Sequence, residues 1–277
     1  MNEKYIILLT GCINPDGMPF TTLTENSIRK AQYINAIDFY LKNTNFPIIF
    51  AENSGTNISN SYIDYIKNNR LELLSFQGNE NKKKGKGYGE AQIINYALSH
   101  SHIINSTSNN CFIIKITGRL IINNINQVVC KRMFLQKNDS IVCSLNSTLT
   151  FADSRIVIAP ISFFKSFLNH KEEIDDTNKI FFENILLNCI IQERRFHYYP
   201  FNIEPQITGQ SGTTGKKYEP YTPSLKRRRR YLIYALRIIL KFDRDISNNK
   251  IKKHIRLLYQ IIYYGLKIID KSLSWIP

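Results

Sequence analysis

Glu183 sits in the run Lys179-Ile-Phe-Phe-Glu-Asn-Ile, with apolar residues on both sides. A carboxylate in that company loses water, its pKa rises, and it becomes suited to removing a proton. The plainer reading is the solvated face of an amphipathic helix. Lys115 lies inside the apolar run Cys111-Phe-Ile-Ile-Lys-Ile, where an unpaired lysine is unfavourable. Thr117, Gly118 and Arg119 follow it as a turn. Two cations at such a place can offset the charge of a departing diphosphate, as a bound metal would; otherwise both pair with structural carboxylates. Asp153-Ser-Arg155 precedes another apolar run. Asp153 can orient a sugar hydroxyl, or Asp153 and Arg155 simply pin a loop as an ion pair.

Three further clusters complete the set: Thr10-Gly11 with Asn14, Glu52-Asn53-Ser54, and Gly85-Lys86-Gly87-Tyr88-Gly89. Bare amides and a lysine in the last can approach a phosphate or a ribose, unless it is an ordinary lysine-rich loop. It is not a P-loop, because no Gly-Lys-Ser/Thr occurs, and it lacks the dinucleotide G-x-G-x-x-G spacing. Glu172, Glu173, Asp175 and Asp176 form a charge run and read as surface. His100 and His102, two apart, do not face one another on a helix. The cysteines, 12, 111, 130, 143 and 189, are odd in number with no C-x-x-C, and read as reduced structural thiols.

Positioning these groups requires a scaffold. Short runs at 5–10, 47–51, 71–76 and 111–116 are apolar on both faces and predict strands. Between them, 23–42, 61–68 and 90–100 carry helical spacing, and 78–89 reads as a loop. Alternating elements with doubly apolar strands indicate a mostly parallel sheet covered by helices, an α/β Rossmann-like fold. Strands at 139–145 and 155–159 follow, then a long helix over 174–194 and a flexible hydroxyl- and glycine-rich loop at 207–218. In such a sheet ligands bind beyond the carboxyl ends of the strands. The polar clusters fall at or just after those ends.

The charge is uneven. The chain carries a net +15, and residues 226–277 hold fourteen Lys/Arg against three Asp. Leu257, Leu258, Ile261, Ile262, Leu266 and Ile268 interleave with these cations at helical spacing. That combination describes a helix lying on an anionic membrane surface. No apolar run reaches the roughly 20 residues of a spanning helix. The start Met1-Asn-Glu-Lys leads into an apolar run too short for a signal peptide. The expectation is a cytoplasmic protein, peripheral on the inner face of the membrane. Residues 1–222 would form the catalytic domain and 223–277 the membrane-associating segment.

Taken together, Leu9-Thr-Gly-Cys-Ile-Asn-Pro, Glu52-Asn-Ser-Gly, Lys84-Gly-Lys-Gly-Tyr-Gly-Glu, Lys115-Ile-Thr-Gly-Arg, Asp153-Ser-Arg and Gly209-Gln-Ser-Gly-Thr-Thr-Gly resemble bacterial capsule and lipopolysaccharide glycosyltransferases of the GT-A-like class. The resemblance covers roughly residues 5–220. It implies a nucleotide-sugar donor and a saccharide acceptor carried on a lipid. Thr10, Gly11 and Asn14 would edge the nucleotide, Glu52 and Asn53 contact its base or ribose, and Lys86 and Gly87 lie near it. Lys115 and Arg119 would meet the diphosphate, and Glu183 would act as the base of an inverting reaction. The family pattern there ends in Glu-Asp, whereas this chain has Glu183-Asn184. Many such enzymes hold a divalent metal with Asp-x-Asp after the fourth strand, the place taken here by Lys115-Ile-Thr-Gly-Arg119. The literal Asp243-Arg-Asp245 lies in the basic tail. A metal-independent transferase with no cofactor is the expectation.

Three other readings compete. A nucleic-acid-binding protein would use Lys226 and the arginines after it, with Tyr231 and Tyr234 to stack on bases. Confinement of the charge to an apolar-rich tail argues against a nucleic-acid partner. A sugar nucleotidyltransferase would share the α/β rim but needs a glycine-rich loop after the first strand, where only Gly11 and Gly17 occur. Finally, the two C-terminal helices would simply pack on the body or on another subunit.

Overall fold

Along the first strand Ile6 and Leu8 join one apolar cluster and Ile7 and Leu9 another, and all four are buried. A strand apolar on both faces must be covered on both faces. In the computed structural model, which describes residues 4–19, 21–78, 81–107, 111–130, 139–245 and 251–273, it is.

The strands are β1 (Lys4–Gly11), β2 (Ile48–Glu52), β3 (Leu71–Ser75), β4 (Cys111–Thr117), β5 (Ile121–Ile122), β6 (Ser140–Leu145), β7 (Ala152–Pro160), β8 (His197–Tyr199), β9 (Ile207–Gln210) and β10 (Lys217–Tyr218). The helices are α1 (Asn26–Asn43), α2 (Ile63–Lys67), α3 (Lys86–His100), α4 (His102–Asn105), α5 (Ile125–Cys130), α6 (Ile161–Leu168), α7 (Phe182–Gln192), α8 (Leu225–Asp245) and α9 (Lys253–Leu273). Seven strands form one sheet in the order β3-β2-β1-β4-β7-β6-β8. β1 to β4 are mutually parallel, β7 runs against β4 and β6, and β8 is parallel to β6. One strand is therefore reversed in a mostly parallel sheet. α3, α6 and α7 cover one face, while α1 and parts of α8 and α9 cover the other. This is the α/β architecture that the alternation of elements implies. A small second sheet, β10-β9-β5, stands beside it.

Three expectations are corrected. α3 begins at Lys86, not at 90, so Gly87 and Gly89 lie in its first turn. Glycine is required at 87 by packing: a Cβ there would stand 2.7 Å from Asp176 Oδ1. The long helix over 174–194 is shorter, Phe182–Gln192. Asp175 accepts from the Thr177 and Asn178 amides, and Lys179 turns left-handed at φ 62°, which closes a separate turn before α7. The loop at 207–218 is the β9–β10 hairpin.

The tail does not stand apart from the body. Leu236, Ile238, Ile239 and Phe242 of α8 are buried in the two clusters, and the Phe242 and Tyr198 rings lie 4.7 Å apart. Tyr259 of α9 is buried as well. On the opposite side of α9, Leu257, Ile261, Tyr264 and Ile268 are exposed, and Leu258 and Ile269 are exposed on its flank. No described helix is long and apolar enough to cross a membrane. Cys143 and Cys189 are buried free thiols, and the Cys130 side chain lies outside the described residues.

Candidate active site

Register brings the strand ends together. Thr10 lies opposite Ala51 on β2 and Thr117 on β4, and Gly11 lies opposite Glu52. A cleft of about 270 Å³ opens beyond that edge. Among the residues singled out from sequence, Thr10, Gly11, Asn53, Lys86, Gly87, Thr117, Arg119, Arg155 and Glu183 line it. Asn14, Glu52, Lys115, Gly118 and Asp153 do not.

Glu52 is engaged by its own turn. Its carboxylate accepts from the Ser54 amide at 3.0 Å, the Thr56 amide at 2.6 Å and the Ser75 hydroxyl at 2.6 Å, and the residue is buried. A carboxylate so satisfied fixes the β2 exit rather than a base or ribose. Asn14 is exposed, with Oδ1 accepting from the Asp16 amide at 3.2 Å. Gly118 donates its amide to the Thr10 carbonyl at 2.8 Å, and a Cβ there would come within 2.7 Å of that oxygen. It lets β1 and β4 close at the cleft edge. Asp153 forms a bidentate pair with Arg155, with Nε–Oδ1 2.9 Å and Nη2–Oδ2 2.5 Å.

Lys115 corrects the expectation of a cation facing a diphosphate. It is 0% exposed and lies beneath the cleft. Its ammonium forms an ion pair with Glu90 and donates to the Ser154 carbonyl at 2.5 Å. Glu90 also accepts from the Thr10 hydroxyl at 2.9 Å. Lys115 thereby ties β4, β7 and α3 together under the floor. Arg119 stays at the cleft, where Nη1 donates to the Gln210 carbonyl at 2.8 Å and Nε finds no hydrogen-bond partner among the described residues.

Glu183, at the start of α7, holds its place through Oε1, which accepts from the Ser154 hydroxyl at 2.7 Å. Burial pushes its pKa up, and the Ser154 bond only partly offsets that. Lys86 is shifted the opposite way, as desolvation lowers its pKa against the opposing pull of Asp176, Glu183 and Glu90. A carboxylate that holds a proton more readily than usual and a poorly solvated cation thus share one cleft.

Sequence reasoning missed two wall residues. Asp176, read as surface, is buried, and its Oδ2 accepts from the Gly87 amide at 3.0 Å. Burial raises its pKa. It occupies the positive end of α3, which the glycine loop was expected to offer to a phosphate. No local signal marks Asp176 among its acidic neighbours, because its partner lies on a distant element. Glu90 did have a signal, as the end of the Lys84-to-Glu90 motif. Among the described residues no three His, Cys, Asp or Glu side chains are grouped to hold a metal.

Across the mouth lies the β9–β10 turn. Ser211, Gly212 and Thr213 line the cleft, Lys86 contacts the Thr213 hydroxyl, and the Thr22 amide donates to the Gly212 carbonyl at 2.9 Å.

No protein-family model matches the chain, and no curated protein matches it. Solved structures with a similar course include a cytidylyltransferase from Leptospira borgpetersenii, at 13% identity and TM-score 0.39, covering 99% of this chain and 96% of that one. The glycosyltransferase GlyE of Streptococcus pneumoniae aligns at 8% identity and TM-score 0.41, over 99% of this chain and 64% of its own. The CTP:phosphocholine cytidylyltransferase LicC of the same species aligns at 12% identity and TM-score 0.34, over 84% and 98%.

Proposed function

We propose that the chain is a glycosyltransferase that moves a sugar from a nucleoside-diphosphate donor to a saccharide hydroxyl, with inversion. The observation that carries this reading is the placement of Glu183. A desolvated carboxylate, fixed by Ser154, faces a cleft that also holds Lys86, Arg119 and Arg155. Glu183 takes the proton of the acceptor hydroxyl as its oxygen forms a bond to the anomeric carbon. The bond from that carbon to the diphosphate breaks, and the diphosphate leaves with the electron pair. Lys86 and Arg119 meet its charge. That is the role expected earlier of Lys115 with Arg119, now carried by the cations that line the cleft. Thr10, Gly11, Asn53 and Thr117 edge the nucleotide side. No divalent metal is needed in this scheme, since fixed cations supply the counter-charge.

The Ser211–Thr213 turn opens to admit the donor, and Lys86 then exchanges its contact with Thr213 for donor phosphate oxygens.

The exposed stripe of α9 holds the enzyme on an anionic membrane at the cytoplasmic face, where a lipid-linked acceptor of surface-polysaccharide assembly resides. Its apolar side chains bury in the headgroup boundary, and Lys253 and Lys267 flank them.

The second reading is nucleotidyl transfer to a sugar phosphate. Against it stands the segment after β1, in which the glycines are 11 and 17 and Asp16 pairs with Lys82 instead of facing a triphosphate. A thermal-shift and calorimetric screen of UDP-, GDP- and dTDP-sugars, with CMP-sugars as the monophosphate control and excess EDTA throughout, tests the proposal. One nucleotide class should stabilise the fold, by about 2.7 kcal/mol at a hundredfold excess over Kd. Pyrophosphate release from a nucleoside triphosphate and a sugar phosphate would assign the second reading instead.

A further inference from the structure

A second cavity, of about 550 Å³, adjoins the cleft. Arg155 and Tyr218 line both, so the two share a wall. A third hollow, of about 470 Å³, links them further: Asp153, Ser154, Arg155 and Glu183 all line it.

The walls of the second cavity differ in kind from those of the cleft. Tyr221, Tyr231 and Tyr234 present ring surface, and the last two rings are 6.3 Å apart at 41°. Two ion pairs stand among them. Asp153 grips Arg155, and Glu204 grips Arg227 through two bonds of 2.9 Å. The Arg227 guanidinium also stacks 3.8 Å over the Tyr221 ring.

Each feature has a chemical consequence. Two arginines and two carboxylates cancel, so the cavity offers no net attraction to a polyanion; that attraction belongs to the cleft. Paired guanidinium and carboxylate groups instead present fixed donors beside fixed acceptors. Aromatic faces offer apolar surface next to them. A pyranose matches both, with its C–H face on a ring and its hydroxyl edge on the ion pairs.

We propose that this cavity is the acceptor subsite and takes a neutral saccharide, whose reactive hydroxyl reaches Glu183 through the hollow at Asp153 and Ser154. This rests on the glycosyltransferase reading given above. It gives the basic C-terminal region a second duty: Arg227, Tyr231 and Tyr234 of α8 form a wall of the site.

The test is saturation-transfer NMR on the full chain with lactose, maltose, cellobiose and diacetylchitobiose at millimolar concentration. Tyr221→Ala and Glu204→Gln serve as variants, because neither residue lies within a helix or strand. UDP, GDP, CMP and dTDP binding is followed by calorimetry on the same proteins. Saturation should pass to the ring protons of a disaccharide, survive addition of a bound nucleotide, and weaken about tenfold in both variants with nucleotide binding unchanged. Absence of transfer to all four sugars overturns the proposal. So does transfer indifferent to both variants, or displaced by the nucleotide. Disaccharide binding that both variants weaken, in a protein that binds no nucleotide, leaves the cavity standing and removes the glycosyltransferase reading.

Discussion

Ser154 joins Lys115 to Glu183: its carbonyl accepts from the buried ammonium at 2.5 Å, and its hydroxyl donates to the carboxylate at 2.7 Å. One residue of β7 thus links the ion pair under the floor to the candidate base above it. Damage to the first is transmitted to the second without any contact between Lys115 and substrate.

Glu183→Gln should lower kcat by about 10²–10⁴-fold, the usual worth of a positioned base. Burial raises the folded pKa of Glu183, so its contribution to stability is present below the ordinary carboxylate pKa and is lost as pH rises through the raised one. At neutral pH the variant should therefore melt no lower than the parent. In the parent, activity should rise with pH through that raised pKa. Melting curves and a kcat–pH profile check both statements.

Lys115→Met leaves Glu90 without its ion-pair partner beneath the cleft. Removing one member of a buried pair destabilises by about 3–5 kcal/mol. Adding Glu90→Gln should recover a large part of that loss, since the stranded charge is then gone. Urea midpoints of the two single variants and the double variant provide the measurement. An unchanged midpoint in Lys115→Met with loss of turnover would return Lys115 to the reacting diphosphate.

Lys86 carries a lowered pKa because it is desolvated. Its charge is present below that pKa and is lost above it. Affinity for a nucleoside diphosphate should therefore decline with rising pH earlier than an ordinary lysine would allow. Lys86→Arg should flatten the decline, since guanidinium stays charged. Calorimetric Kd values over an alkaline pH series give the comparison.

Leu257, Ile261 and Ile268 point away from the body on α9, at 56%, 61% and 69% exposure. Replacing all three by Asn should abolish sedimentation with phosphatidylglycerol vesicles while leaving the melting temperature in place. Neutral phosphatidylcholine vesicles should bind the parent more weakly, each cation near an anionic surface being worth about 1 kcal/mol. A concentration-dependent dimer that the triple variant breaks, without vesicle binding, would assign the face to a second copy.

The sheet was legible because its signal is local. Ile6 to Leu9, Ile48 to Ala51 and Cys111 to Ile114 are apolar on both faces, and only a covered, largely parallel sheet buries both. The cleft edge was legible for the same reason, since register aligns Thr10 with Thr117 once the strands are placed. The start of α3 was not, because Gly87 breaks helices in isolation and is demanded here by Asp176, eighty-nine residues away.

By itself the sequence determined the alternation of elements, the strand ends at which chemistry can occur, and the concentration of charge beyond residue 225. Tertiary structure alone decided which ionisable groups meet solvent and which meet each other. Lys115 and Glu90, Glu52 and Ser75, and Asp176 and Gly87 are each joined across distant segments. The reason is electrostatic. Whether a charge serves the fold or a substrate depends on its nearest counter-charge and on its access to water. Both are set by chain segments that sequence proximity does not reveal.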